Sequence, residues 1–308
     1  MANPHEGREF ALVEARLRTM LPAQYQDCYE DVQPVSMGSA GLKYGPDGKV
    51  AWNEIWGSFC DLAMAGGPPH KGTLLEPGSR EEIDAQGDRY GEVVGEICRG
   101  ISLVTGLHAE PSPLAGWVLM YCTSAAMAGW LARAIVMENV SASFNGLALY
   151  LPAGPSYRVE KEIKNVITTV AKTCHYWLKH TSYEQQQEIA RVLREMESES
   201  PLLQPEVFGR DFPAGAHATL SSKVAESIHQ ETGLRVSQHG YVGWLGLDCQ
   251  QVGAAVWMMR MLVVSNVLSR REGTVVFLHL NPAVDPDGER VVRVVLQTHS
   301  FAKAQGIL

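Results

Sequence analysis

The chain has 308 residues, 45% of them hydrophobic, which is enough material for one large domain or two of ordinary size with a buried core. Its net charge of −8 argues against nucleic acid as the main partner. The opening residues Met1 to Gly7 have neither a basic nor an apolar leader, so no secretory signal is expected, and the most apolar stretches, 116–140 and 243–267, are interrupted by Arg133 and Arg260 and read as buried elements with no membrane span.

Apolar spacing over 7–20 predicts an amphipathic helix. Gly45-Pro46-Asp47-Gly48 reads as a hairpin turn between 42–44 and 50–52, and Asn53 as the cap of a helix over 55–64. Gly66-Gly67-Pro68-Pro69-His70-Lys71-Gly72 stops that helix. A helix is expected over 80–104, with Ser79 as its cap and Glu81 and Glu82 in the first turn. A strand near 116–121, a helix from about Thr123 to Ser141 and a strand at 147–151 follow. Two helices, 158–179 and 182–197, lead to a Ser- and Pro-rich linker or surface loop, 197–217. The remaining pattern reads as helix 222–231, strand 241–247, helix 250–270, strand 274–280, a turn at Asp285 to Gly288 and a strand at 291–297.

One segment occurs twice. Thr105-Gly106-Leu107 recurs as Thr232-Gly233-Leu234, and without a gap Gly116-Trp117 falls on Gly243-Trp244, Cys122 on Cys249, Trp130 on Trp257, Arg133 on Arg260 and Asn139-Val140 on Asn266-Val267. Gly146 and Leu151 meet Gly273 and Leu278 in the same register. The expected fold is therefore α/β or α+β, with a duplicated helix–strand–helix–strand unit in a pseudo-twofold arrangement and an added N-terminal hairpin and helices. The organisation reads as 1–79 N-terminal helix, hairpin and loop, 80–152 first repeat unit, 153–218 helical connection, and 219–308 second repeat unit.

Counting about 100° per residue from Cys122, Val140 falls at about 0°, Arg133 at about 20°, Trp130 at about 80° and Val136 at about 320°. These residues would share one stripe, which is first of all a packing face. Arginine on such a stripe needs a partner, either a structural carbonyl or carboxylate or an anionic ligand held by Arg133 and Arg260 together. Cys122 and Cys249 stand at predicted helix N-termini, where a thiolate is stabilised as nucleophile or metal ligand, although a free cysteine is also a common buried apolar residue.

The six cysteines, at 28, 60, 98, 122, 174 and 249, form no Cys-x-x-Cys, and reduced thiols in a cytoplasmic protein are expected. The segment richest in chemical side chains is 52–72. Its His70 is the first candidate for a general acid or base, with Lys71 and Glu54 as substrate-binding groups. Cys60, Asp61 and His70 offer sulfur, oxygen and nitrogen ligands for zinc or iron, but at a spacing that matches no metal motif; the plain alternative is a Gly/Pro turn with solvent-facing polar residues. His108, His175, His180 and His239 have no partner at a diagnostic spacing.

Two functions fit these residues. One is an enzyme acting on a small anionic metabolite between the repeat units, with the 66–72 loop as cover and its reaction class open. The other is a non-catalytic ligand-binding or assembly protein whose repeat supplies a pseudo-symmetric interface and whose apolar faces drive homo-oligomerisation.

Overall fold

A computed structural model describes residues 4–26, 41–55, 61–206, 214–237 and 240–308. It is an α+β protein with two four-stranded antiparallel sheets, and the chain divides into two compact units. No helix among the described residues is long and apolar enough to cross a membrane.

The unit spanning Val32–Gln186 and Val207–Gly209 begins, in its described part, with the expected turn. Gly48 is left-handed (φ 73°), the Gly45 N–H reaches the Lys49 carbonyl at 2.8 Å, and Ala51 N–H reaches Lys43 at 2.9 Å. The helix expected over 55–64 does not form in its described part. Trp52–Glu54 and Ala63–Ala65 are single 3-10 turns, and Leu62 between them is extended (ψ 141°). The cause is a fold-back: Gly67 lies so close to Asp61 that a Cβ there would stand 2.4 Å from the Asp61 carbonyl oxygen. Gly66, left-handed at φ 93°, closes the turn as its position predicts.

Ser79 caps helix α2 (Arg80–Ala85) in a reciprocal box with Glu82. The single helix expected over 80–104 is broken at Gln86 (φ −135°, ψ 46°), beyond which α3 (Gly87–Thr105) ends on left-handed Gly106. Strands β1 (Ala109–Pro111), β2 (Trp117–Tyr121), β3 (Ser143–Asn145) and β4 (Ala148–Pro152) pair in the order β1-β2-β4-β3. The short edge strands β1 and β3 carry too few residues for a period-2 pattern to be read. Val118 pairs with Leu151 and Met120 with Leu149, so all four share one sheet face, and all are fully buried.

Helix α4 (Ala125–Met137) starts on Ser124, whose hydroxyl accepts the Met127 N–H, and is shorter than predicted because Asn139 turns left-handed (φ 63°). Cys122 and Val140 therefore lie outside the helix. Every residue from Met127 to Met137 is buried, which corrects the one-stripe reading: α4 is enclosed by β3, β4, helix α5 and the Ala63–Ala65 turn. The predicted helix 158–179 is one run with α5 (Lys164–His175) flanked by π-helical turns, Val159–Ile163 and Tyr176–His180. Helices α3 and α5 meet at Gly100, where a Cβ would stand 2.1 Å from Ile167 Cδ1.

The second unit takes in Met1–Asp31, Gln187–Glu206 and Arg210–Leu308. Helix α1 (Pro4–Met20) packs on α8 (Val252–Val263). Helix α6 (Tyr183–Glu199) precedes an extended stretch in which Leu203 pairs with Val267. Part of the expected linker 197–217 is thus held by the core, while 207–213 lie outside the described residues. Helix α7 (Ala214–Thr232) begins earlier than predicted. Strands β5 (Arg235–Val236), β6 (Trp244–Asp248), β7 (Ser269–Glu272) and β8 (Val275–His279) pair in the order β5-β6-β8-β7. Helix α8 stops well before Arg270 because Asn266 is left-handed (φ 60°) and Ser269 and Arg270 enter β7.

The strand expected at 291–297 is instead the middle of helix α9 (Glu289–Ala304). Val-Val-Arg-Val-Val favours a strand locally, but Val291, Val295, Thr298 and Ala302 are buried at helical spacing, together with His299 and Phe301. Packing of that face on α7 and α8 overrides β propensity.

Candidate functional site

A buried polar cluster lies in the first-described unit, at the end of α4. Glu138 is fully buried there and binds the Lys172 ammonium of α5 through Oε1 at 2.7 Å. The same Oε1 accepts the Ala63 N–H at 2.9 Å, and Oε2 accepts the His70 N–H at 2.8 Å. One carboxylate thus neutralises a buried cation and satisfies two loop donors, which is what such a charge needs in the interior. Next to it, the Asn139 amide donates to the Lys71 carbonyl at 2.7 Å, and its carbonyl accepts the Leu75 N–H at 2.9 Å. The left-handed Asn139 backbone turns both groups toward the incoming segment, so 63–75 is fastened along its length.

His70 sits on this segment, partly buried. Its Nε2 is 2.8 Å from the Thr168 hydroxyl, which itself lies 2.7 Å from the Lys164 carbonyl. With the hydroxyl proton directed at Lys164, the imidazole donates through Nε2–H. Burial, reinforced by the Lys172 and Lys71 charges and opposed by Glu138, lowers the His70 pKa to about 4, so the ring is neutral at physiological pH. Burial also lowers the Lys71 amine from its ordinary value, against the nearby Glu162 carboxylate.

The other predicted residues are placed differently. Glu54 is exposed on its 3-10 turn. Cys60 lies outside the described residues. Asp61 is partly buried on the fold-back, and among the described residues no three His, Cys, Asp or Glu side chains are grouped to hold a metal. Arg133 is buried in α4 and returns Nη1 to the Gly129 carbonyl at 2.9 Å. Arg260 is equally buried in α8, in the other unit.

Cys122 and Cys249 do stand just before α4 and α8, but both are buried. Burial pushes each thiol up to about 12, with the Asp248 charge adding to the effect at Cys249. That direction is opposite to the expected helix-terminus activation: desolvation of a thiolate outweighs the dipole here.

Glu138, Lys172 and Thr168 were not among the predicted site residues. A signal existed for the first two. A lone Glu inside the apolar run 131–142 and a lone Lys inside 166–174 are buried charges that require each other.

Searches against protein families, curated proteins and solved structures return no match.

Proposed function

We propose that this chain is a non-catalytic ligand-binding or assembly protein built on one α+β unit used twice. The duplication reading is supported by backbone geometry in the register of the sequence repeat. Gly106 and Gly233 have φ 72° and 74°, Gly116 and Gly243 87° and 79°, Asn139 and Asn266 63° and 60°, and Gly146 and Gly273 58° and 55°. Strand orders β1-β2-β4-β3 and β5-β6-β8-β7 correspond one to one.

The observation that carries the non-catalytic reading is how the polar groups are used. Glu138 spends both oxygens on Lys172 and on the N–H groups of Ala63 and His70. Both repeated thiols are held protonated, and His70, with a pKa of about 4, is far from the near-neutral value that suits a general acid or base. These groups serve to fix a loop and a core.

Thiol labelling of the native chain at neutral pH tests this. Cys122 and Cys249 should react only on unfolding, and rapid native labelling of either would overturn the reading. Sedimentation velocity over a range of concentrations then separates assembly, seen as self-association, from ligand binding by a monomer.

A second reading, an enzyme site for a small anion at Lys71 and His70, is favoured by the partial exposure of both residues and by the Thr168 hydroxyl beside His70. It requires that Lys71→Ala abolish binding of the anion with the fold intact.

A further inference from the structure

His175 and His180 are five apart, and on an α-helix residues at that spacing stand about 140° apart around the axis. The sequence therefore gives them no common face. In the structure the α5 helix passes at His175 into the π-helical turn Tyr176–His180. The wider turn brings the two imidazoles together, with Nε2 facing Nε2 at 3.2 Å and ring centroids 5.0 Å apart. Tyr176, itself buried, lies against the His180 ring at 4.9 Å and the His175 ring at 6.2 Å and restricts both.

From these two rings we infer a binding site for a divalent transition ion of the zinc, copper or nickel type, ligated by Nε2 of His175 and Nε2 of His180.

The distances fit two nitrogens directed at one ion. An ion about 2.0–2.1 Å from each nitrogen subtends an N–metal–N angle of about 100° when the nitrogens are 3.2 Å apart, close to tetrahedral. Extending each ring axis back from that common apex puts the centroids about 5 Å apart, and they are 5.0 Å apart. Without an ion the same contact is a bent N–H···N hydrogen bond, since a collinear one would separate the centroids by roughly 5.5 Å. The 63° between ring planes is no obstacle, since a ring can twist about its metal–nitrogen axis without moving the nitrogen.

Two imidazoles of intermediate softness select late first-row divalent ions over calcium or magnesium. The protein supplies two ligands, because no group of three His, Cys, Asp or Glu is present among the described residues. The remaining positions are left to water or to a donor from a bound molecule. His180 is exposed and His175 partly so, which gives the ion a path from solvent. The nearby Lys179 ammonium opposes the ion's charge and limits its affinity.

The test uses the untagged full-length chain titrated with Cu2+ and followed by electron paramagnetic resonance, with Zn2+ binding measured by calorimetry. One equivalent of Cu2+ should bind with a two-nitrogen superhyperfine pattern. His180→Asn should weaken both ions by at least about tenfold, as expected when a chelating pair loses one arm, and His175→Asn/His180→Asn should remove the signal. His180 is exposed, so its single variant reports binding on a folded chain, which circular dichroism verifies. Equal affinity in the wild-type chain and the double variant, or an unchanged nitrogen pattern, would overturn the assignment.

Discussion

Breaking the Glu138–Lys172 pair should cost far more than any exposed ion pair in the molecule. Both side chains are essentially inaccessible, at 0% and 2% exposure, and 2.7 Å apart. Removing one member of a buried pair costs about 3–5 kcal/mol, mainly because the other charge is left in the interior. In Glu138→Gln the Lys172 ammonium is stranded, and the amide can accept only one of the two N–H groups from Ala63 and His70. A buried donor without a partner adds about 1–3 kcal/mol, so the expected cost is about 4–8 kcal/mol. Lys172→Met leaves the carboxylate with both backbone donors still in place, and its expected cost is about 3 kcal/mol.

At roughly 2–4 °C per kcal/mol for a unit of this size, Glu138→Gln lowers the melting temperature by roughly 8–32 °C. The double variant carries neither charge of the pair, so it should be at least about 2 kcal/mol more stable than the two single costs predict. Urea denaturation of the four proteins measures the cycle, and amide exchange across 63–75 shows whether the loop loosens first. Single variants within about 1 kcal/mol of wild type, or strictly additive costs, would refute the clamp.

Acid should also destabilise the fold through two histidines. Burial holds His70 at about 4 and His279 at about 3, with the His217 charge assisting at His279. Both lie below the ordinary value of about 6.5, so the stability they contribute is complete above pH 6.5 and is lost as the pH falls toward those values. The urea midpoint should therefore drop between pH 7 and 4.5, and drop less in His279→Asn; an equal slope in that variant would count against the assignment. Asn139→Ala and Asn266→Ala should each cost about 1–3 kcal/mol, mainly through lost side-chain hydrogen bonds and in part because alanine tolerates the left-handed backbone less well than asparagine. Asn139→Gly and Asn266→Gly should recover the backbone share, and equal costs for the Ala and Gly forms in thermal melts would disprove the strain component.

How far the sequence reveals the fold follows from where its information is local. Ser79 with Glu82, the Gly45–Gly48 turn and left-handed Gly66 are short-range devices, and each lies where its residues predict. Strands β2, β4, β6 and β8 are visible as apolar runs. Their neighbours β1, β3, β5 and β7 have two to four residues each, and only the pairing partner makes them strands. The misreading of α9 has the same origin, because Val291 to Val295 favours a strand until α7 and α8 claim the 3.6-residue face. At Leu62 the deciding contact is the Gly67–Asp61 approach, which residue preference does not encode.

For the site, the sequence singles out the 66–72 loop but not the residue that fastens it. His70 and Lys71 attract attention as titratable groups, but the residue organising them is Glu138, distant in the chain and set in an apolar run. In the register of the repeat, Glu138 corresponds to Ser265, and Lys172 lies beyond the first repeat unit. The shared element is the adjacent left-handed Asn. Asn139 takes the Lys71 carbonyl, while Asn266 donates to the Met196 and Ser200 carbonyls and accepts the Leu203 N–H. In both units an extended segment docks beside that Asn, at Leu75 on Val140 and at Leu203 on Val267. Among the described residues, the dock at Asn139 is reinforced by the buried Glu138–Lys172 pair. The repeated residues therefore account for the docking geometry, and the unrepeated Glu138 and Lys172 for the rigidity of the loop that carries His70.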